Sequence, residues 1–385
     1  MLRERSSTVR PRLGERQDSH RRRTQIAVSE GSPCGYSAAV EHPSLKDVAA
    51  RAGVSFQTAG KVLNGKGRVA PETRRRILDA AGALGYVPNA LARGLISRST
   101  GTIGVIATDL SDTTLAQHIV GIEREARRQG RCVIIGSLDR TGSDCEEYLR
   151  LLLERRVDGI VVVAPVIESN ARIGELLRRT VPTVSLHRIA GGGISTIMAD
   201  DEQSGMLPTR HLLALGHRRV GMITGPRRRQ VTLARTAGYR HGLEEAGIPY
   251  DEALVVEGDW EVAGGYSGAH RLLDRAPDLS ALFVQNDMMG VGVLSALQHR
   301  GLRVPEDCAV VGCDDLPIAS RTIPPLTSVR IPFVEIGEAA TRMLAEQLGK
   351  ERREPDHLVL PVSLRYRAST RTVTEGEEPG GSDFS

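Results

Sequence analysis

Aromatic residues are scarce: Phe, Tyr and Trp make up 3% of the 385 residues, with a single tryptophan. Any core must therefore be built from aliphatic side chains. No run of 18 apolar residues occurs, and the first 43 residues hold no apolar stretch of signal-peptide length. These two absences exclude a spanning helix and an export signal, so a cytoplasmic chain with no membrane partner is expected. The five cysteines, Cys34, Cys132, Cys145, Cys308 and Cys313, include no CxxC pair. Free thiols in a reducing compartment are expected, with no zinc and no other cofactor. There is no P-loop, no GxSxG elbow and no metal-spaced histidine pair, so nothing marks a catalytic residue. His211 and His217 flank a leucine-rich turn and read as structural.

What is present begins with uneven charge. Residues 1–43 carry eight Arg against five acids, residues 44–98 ten Lys or Arg against three acids, and the remainder 33 basic against 39 acidic residues. A positive front on an acidic body fits a protein that holds nucleic acid with one part only. The length suits two or three domains. Residues 1–43 are polar, Arg-rich and aperiodic; they read as a disordered leader produced by an upstream start codon, in preference to an arm adding phosphate contacts. Residues 371–385, acidic and Gly-rich, read as a disordered tail.

The stretch from Ser44 to Gly85 has the punctuation of three short helices. Ser44 with Asp47 three places on can cap the first, whose Leu45, Val48 and Ala49 share a face. Gly53 permits a sharp turn and Ser55 can cap the second, in which Ala59, Val62 and Leu63 point inward while Phe56, Gln57, Gly60 and Lys61 point out. Pro71 opens the third, Ile77, Leu78, Ala81 and Leu84 are expected inward, and Gly85 stops it. Two short helices on so tight a turn describe a helix-turn-helix, and the whole (44–88) an all-α headpiece. Three amphipathic helices of a larger bundle are the alternative, which the positive charge opposes.

After residue 100 the pattern changes to buried apolar strands, such as Thr102–Ala107 and Gly159–Ala164, joined by helices such as 115–129 and 144–155. Strands without polar alternation mean a parallel sheet covered on both faces. The rhythm returns from Arg219 through Ala281 to Cys308. The expected fold class is thus an all-α helix-turn-helix headpiece plus an α/β, periplasmic-binding-protein-like body of two doubly wound parallel-sheet subdomains. Ligands of open α/β sheets bind beyond the carboxyl ends of strands. That rule marks Asp109, His187, Arg235, Trp260, Asn286 and Asp314.

The segments LKDVAARAGVS, VLNGKGRVAPETRRRIL and LGYVPNALARGL resemble the headpiece of the LacI/GalR family of transcription regulators. The resemblance implies that the second helix enters the major groove, with Phe56, Gln57 and Lys61 on bases, Thr58 and Asn64 near phosphates, and Ser55 also among the DNA-binding residues. Gln and Lys suit adenine edges and guanine O6 and N7. It also implies a hinge helix at 89–96 within a connector of 89–100. There Asn89 and Ala92 contact DNA, and Leu95 wedges into the minor groove beside its twin from a second copy. An eight-residue helix is too short to stand alone in water. For the body (101–370) it implies three crossings between subdomains, the first holding about 101–199 and 333–360, the second about 200–329 and 361–370. Arg235, Asn286 and Asp314 would bind effector hydroxyls, with Trp260 as stacking platform, Phe333 as apolar wall, and Asp109 and His187 beside them.

The sequence departs from the family pattern in four places. Gly60-Lys61 stands where Ser-Arg is usual, and Asp112-Thr113-Thr114-Leu115 replaces an aromatic clamp, which disfavours a nucleobase. His187 replaces a common Asp, and Cys313 a frequent aromatic residue. The expectation is a homodimeric regulator, a repressor of carbohydrate genes, on a near-palindromic double-stranded operator and controlled by a sugar or sugar derivative. A regulator answering a purine or other metabolite, and an enzyme on the same scaffold, are the alternatives. Whether the effector induces or co-represses stays open.

Overall fold

The computed structural model describes residues 43–65, 67–87, 99–139, 141–349 and 354–370. They fall into two units divided between Pro88 and Asn89.

The first unit holds α1 (Leu45–Arg51), α2 (Phe56–Leu63) and α3 (Pro71–Leu84). Ser44 and Asp47 close a reciprocal capping box on α1. Ser55 Oγ accepts from Thr58 N at 3.1 Å at the start of α2. Gly53 and Gly85 both take φ of +64°, as a sharp turn and a helix stop require. Val48, Ala49, Ala59, Val62, Ile77, Ala80 and Ala81 form the small core, with Leu45, Leu63 and Leu84 partly buried against it. Leu78 does not join it. Its side chain is 50% exposed, because Ile77, Ala80, Ala81 and Leu84 complete the inward stripe of α3 and residue 78 lies a further 100° round the helix.

The body contains two six-stranded sheets. The first lobe is ordered β11-β5-β4-β3-β1-β2, from β1 (Thr102–Ala107), β2 (Cys132–Ser137), β3 (Gly159–Val163), β4 (Thr183–Ser185), β5 (Ser195–Ala199) and β11 (His357–Leu360). All its pairings are parallel. The second is ordered β12-β10-β9-β8-β6-β7, from β6 (Val220–Thr224), β7 (Val255–Glu257), β8 (Ala281–Val284), β9 (Ala309–Asp314), β10 (Thr327–Arg330) and β12 (Ser363–Arg365). Only the β10–β12 pairing is antiparallel there. The chain passes between the sheets after β5, after β10 and after β11.

Helices cover both faces. In the first lobe α4 (Thr113–Arg128) and α11 (Phe333–Gln347) meet Ile103, Val105 and Val161, while α5 (Cys145–Glu154) and α6 (Ala171–Thr180) meet Ile106, Ile160 and Val162. In the second, α7 (Asp201–Ala214) and α8 (Gln230–Glu245) cover Met222, Phe283 and Val311, and α9 (Val262–Arg275) and α10 (Asp287–His299) cover Ile223, Leu282 and Val310. Successive strand residues point to opposite helical layers, so strands buried on both faces show no polar alternation. The edge strand β2 is an exception to the expected burial. Ile134 and Ile135 remain 38% and 41% exposed, because an edge strand has one neighbour and its outer side chains reach past the covering helices.

Each of three helix pairs approaches to backbone contact through one glycine from either partner. A Cβ on Gly205 of α7 would fall 1.9 Å from the Arg235 carbonyl oxygen, and one on Gly238 of α8 would fall 1.9 Å from that of Glu202. Gly121 and Gly337 play the same part between α4 and α11, and Gly265 and Gly292 between α9 and α10.

Candidate DNA-reading helix and ligand cleft

The burial of α2 sorts its residues by task. Ala59 and Val62 face α1 and α3, leaving Phe56, Gln57 and Lys61 exposed on the other side. Thr58 lies at the edge of that face, its hydroxyl 2.8 Å from Ser55 Oγ, and Asn64 ends the helix as its C-cap. Phe56 is 52% exposed, an uncommon position for the largest apolar side chain of so small a unit. The outward face therefore offers a ring, an amide and an ammonium with no internal hydrogen-bonding duty in the contacts described. Asn89, Ala92 and Leu95 lie outside the described residues.

In the second lobe the marked residues converge at strand ends. Arg235, on α8 and 5% exposed, stands between two carboxylates: its Nε is 3.4 Å from Asp201 Oδ1 and its Nη2 3.5 Å from Asp314 Oδ1. Its Nη1 donates to the Gln285 carbonyl. Asp314 ends β9 with φ of +113° and Asp315 follows at +56°, left-handed backbone that a non-glycine residue holds only under constraint. Burial pushes the Asp314 carboxyl well above the usual range, and Asp287, Asp112 and Asp201 nearby push it the same way against the pull of Arg235. Asp287 is fully buried, accepting from Ser328 Oγ at 2.6 Å and Leu316 N at 2.7 Å, and burial lifts it to about 7.

Asn286 caps α10 by accepting from Met289 N and donates to the Trp260 carbonyl, both at 2.9 Å. Trp260 adopts φ of +74°, and its indole lies over Gly225, where a Cβ would come within 1.9 Å of the ring. Gln285 braces this floor from below. Its Oε1 accepts from Gly225 N at 3.1 Å, and its Nε2 donates to Thr232 O at 3.3 Å and Thr236 Oγ1 at 3.1 Å.

The first lobe contributes histidines. His187 follows β4; His118, one turn into α4, packs edge-on against Phe333 with ring centroids 5.0 Å apart. His118 Nδ1, His187 Nε2 and the Thr108 hydroxyl are buried without a hydrogen-bond partner among the described residues. Burial, with Arg229 nearby, lowers His187 to about 4; burial, with His187 nearby, lowers His118 to about 3. Phe333 and Asp314 share the wall of a cavity of about 390 Å³. Asp109 turns its carboxylate to its own loop, accepting from Ser111 N at 3.0 Å and Ser111 Oγ at 2.6 Å.

Across the cleft the lobes are clasped. Arg229 Nη1, from the start of α8, donates to the Pro165 carbonyl at 2.6 Å and lies 4.0 Å from Glu168. Gln230 N donates to Glu168 Oε1 at 3.3 Å, and its side chain to the Arg188 carbonyl at 3.2 Å. Burial raises the pKa of Glu168.

The structure thus joins Arg235 to Asp314, Asn286 to Trp260, and Phe333 to His118. Asp201, His118, Gln285 and the Arg229–Glu168 clasp escaped the sequence. Asp201 was within reach of the strand-end rule, being the second residue after β5, whereas His118 sits on a helix and no periodicity distinguishes it from core.

A headpiece with an exposed polar helix face, joined to two α/β lobes around a cleft of buried polar groups, defines a ligand-responsive DNA-binding regulator. Comparison with known proteins agrees. Residues 44–89 match the model of bacterial regulatory proteins of the lacI family, and residues 209–370 the periplasmic binding protein-like domain. The chain is similar to catabolite control protein A of Priestia megaterium, 33% identical over 330 residues, covering 85% of this chain and 99% of that protein. It is also similar to the transcriptional regulator CelR of Thermobifida fusca, 35% identical over 336 residues, 85% of this chain and 98% of that one. Among solved structures, the lac repressor dimer bound to operator and an anti-inducer superposes with a TM-score of 0.78 at 30% identity, covering 86% of this chain and all of that one. The chain belongs to the LacI family of bacterial transcription regulators.

Proposed function

We propose that the protein is a cytoplasmic repressor of carbohydrate-metabolism genes, acting by binding and not by catalysis, that holds a near-palindromic operator as a homodimer and responds to a sugar-like effector. The exposed face of α2 carries this reading. Phe56, Gln57 and Lys61 are presented outward by a helix whose other side is fixed in a core, inside a segment of ten basic and three acidic residues. Such a face can dock in a major groove while the surrounding charge engages phosphates. Ser55, Thr58 and Asn64 flank it toward the backbone, and Asn89, Ala92 and Leu95 continue the contact into the connector. Arg235, Asp314, Asn286, Trp260, His187 and Phe333 line the effector site, with Asp109 shaping its rim. The complex of CelR with cellobiose, 34% identical to this chain with a TM-score of 0.66, supports a carbohydrate.

The test is fluorescence anisotropy of the full chain on operator and random duplexes across a salt series. Affinity falls steeply with salt on both. Lys61→Ala and Gln57→Ala each cost about 1–3 kcal/mol on the operator and much less on random DNA. Binding to the operator that is insensitive to salt sinks the proposal.

A further inference from the structure

We propose that Asp158 is a positioning residue for operator recognition: its carboxylate anchors Ser99, Thr100 and Gly101 to the first lobe and so fixes the point from which the connector leaves for the headpiece. The inference deepens the operator reading and rests on it.

β1, β2 and β3 run parallel and begin side by side, so the residues that precede them meet at one end of the sheet. Thr100 and Gly101 enter β1, Arg131 enters β2 and Asp158 enters β3. One carboxylate gathers these entries. Its Oδ1 accepts from Thr100 N at 2.7 Å and Thr100 Oγ1 at 3.1 Å. Its Oδ2 accepts from Ser99 Oγ at 2.7 Å, Gly101 N at 2.9 Å and Arg131 Nη1 at 3.0 Å. A carboxylate offers about four lone-pair sites, so these donors fill it. Burial raises the pKa of Asp158, but the bonds from Ser99, Thr100 and Gly101 outweigh it and hold the carboxyl below its usual range. The anchor is therefore ionised at neutral pH. The loop that carries it is shaped for the same task. Arg156 takes φ of +53°, left-handed backbone, and its carbonyl accepts from Thr100 Oγ1 at 2.8 Å.

Every donor except Arg131 belongs to the connector or to its junction with β1. The sheet itself does not need them. Asp158 N already donates to Thr102 O and Cys132 N to Gly101 O, each at 2.8 Å, which pairs the strand entries through the backbone. The side-chain bonds reach outward instead, to Ser99, the first described residue after the headpiece. The hinge helix expected at 89–96 is marginal in water, so its placement on DNA depends on how firmly its far end is held. A fixed end removes freedom that would otherwise be lost on binding. Random DNA, held by phosphate contacts of the headpiece, makes no such demand on the connector. The anchor lies at the amino ends of the strands and the effector cleft at their carboxyl ends, about 20 Å away along the six residues of β1. Loss of Asp158 therefore leaves the effector groups in place.

Operator duplexes are first selected from a random-sequence library by the full-length protein. Affinity is then read by fluorescence anisotropy on a selected duplex and on a scrambled one of equal length. Asp158→Asn turns one acceptor oxygen into a donor that faces donors. The expected result is at least about tenfold weaker binding to the selected duplex, with the scrambled duplex bound within about twofold of the unsubstituted protein. Faster hydrogen exchange in 99–101, with Ile160 to Val162 still protected, marks release of the connector and not of the sheet. Ser99→Ala combined with Thr100→Val removes two hydroxyl donors and leaves Asp158 on Arg131. It loses about threefold or more with the same selectivity, and it decides the matter should Asp158→Asn fail to fold. An unchanged ratio of the two affinities in folded variants, or an equal loss on both duplexes, overturns the positioning role. Failure of the unsubstituted protein to select any duplex over the random pool removes the operator reading beneath it.

Discussion

At the scale of single residues, the two histidines and Asp287 give the body opposing responses to pH. His118 and His187 are held neutral in the fold, at about 3 and about 4, whereas the unfolded chain exposes them at 6.5. As pH falls below 6.5 the unfolded state takes up protons that the native state refuses, so stability is lost by up to about 1.4 kcal/mol per pH unit for each histidine. Asp287 works in the other direction. Its carboxyl, raised from 3.8 to about 7, keeps a proton that the unfolded chain releases, so its contribution declines as pH rises from about 4 to about 7. Urea unfolding between pH 4.5 and 8 separates the two. His118→Phe, which keeps an aromatic ring against Phe333, flattens the acid branch, and Asp287→Asn flattens the rise toward acid that the carboxyl supplies.

The strand-end rule marks Asn286 and Asp314 directly, because chain direction alone dictates which loops open on a cleft, whereas Arg235 lies inside α8 and reaches the cleft through packing. The rule could not supply the partner of Arg235. Asp201 reaches that guanidinium only through the register of α7 against α8, which Gly205 and Gly238 fix at backbone contact. No local pattern in the sequence encodes that distance.

At the scale of elements, packing decides what a substitution does, and the glycines separate two cases. Gly60 lies inside α2, where a Cβ would meet only Leu45 Cδ2 at an ordinary 3.5 Å. Gly60→Ala is therefore expected to stabilise the headpiece by about 0.5–1 kcal/mol, read from its thermal midpoint. Gly205→Ala meets the Arg235 carbonyl and forces α7 and α8 apart. The expected loss is about 3 kcal/mol or more, together with weaker sugar binding as Arg235 moves off Asp201. Ser44→Ala opens the capping box and costs the headpiece about 1 kcal/mol, with the body unaffected.

The helices of the headpiece were legible in the sequence because caps, stops and stripe agree within fewer than fifty residues. Leu78 shows that apolarity does not dictate inwardness: it has the composition of a core residue and faces solvent. The exposure of β2 was missed because apolar strand composition cannot tell a central strand from an edge. The three-residue strands β4, β7 and β12 are too short to carry a period of their own, and only the sheets that recruit them define them.

At the scale of the whole molecule, the clasp of Arg229 and Gln230 on Pro165, Glu168 and Arg188 holds the lobes together from one side of the cleft. Arg229→Ala removes its charged half and leaves Glu168 buried beside no counter-ion. The expected outcome is a body whose lobes part more readily, seen as a larger radius of gyration in solution scattering without ligand and as several-fold weaker sugar binding. An unchanged scattering profile would show that the clasp does not govern closure.

The last strands carry a consequence for how the chain is made. β11 seals the edge of one sheet and β12 that of the other, and both follow every other strand in chain order. A ribosome must therefore release all ten earlier strands before either half is finished. Until then β5 and β10 each present a bare row of amide and carbonyl groups, open to pairing with a neighbouring nascent chain. A premature stop just before His357 would spoil both lobes at once, sending into inclusion bodies a protein that still holds all but two of its strands.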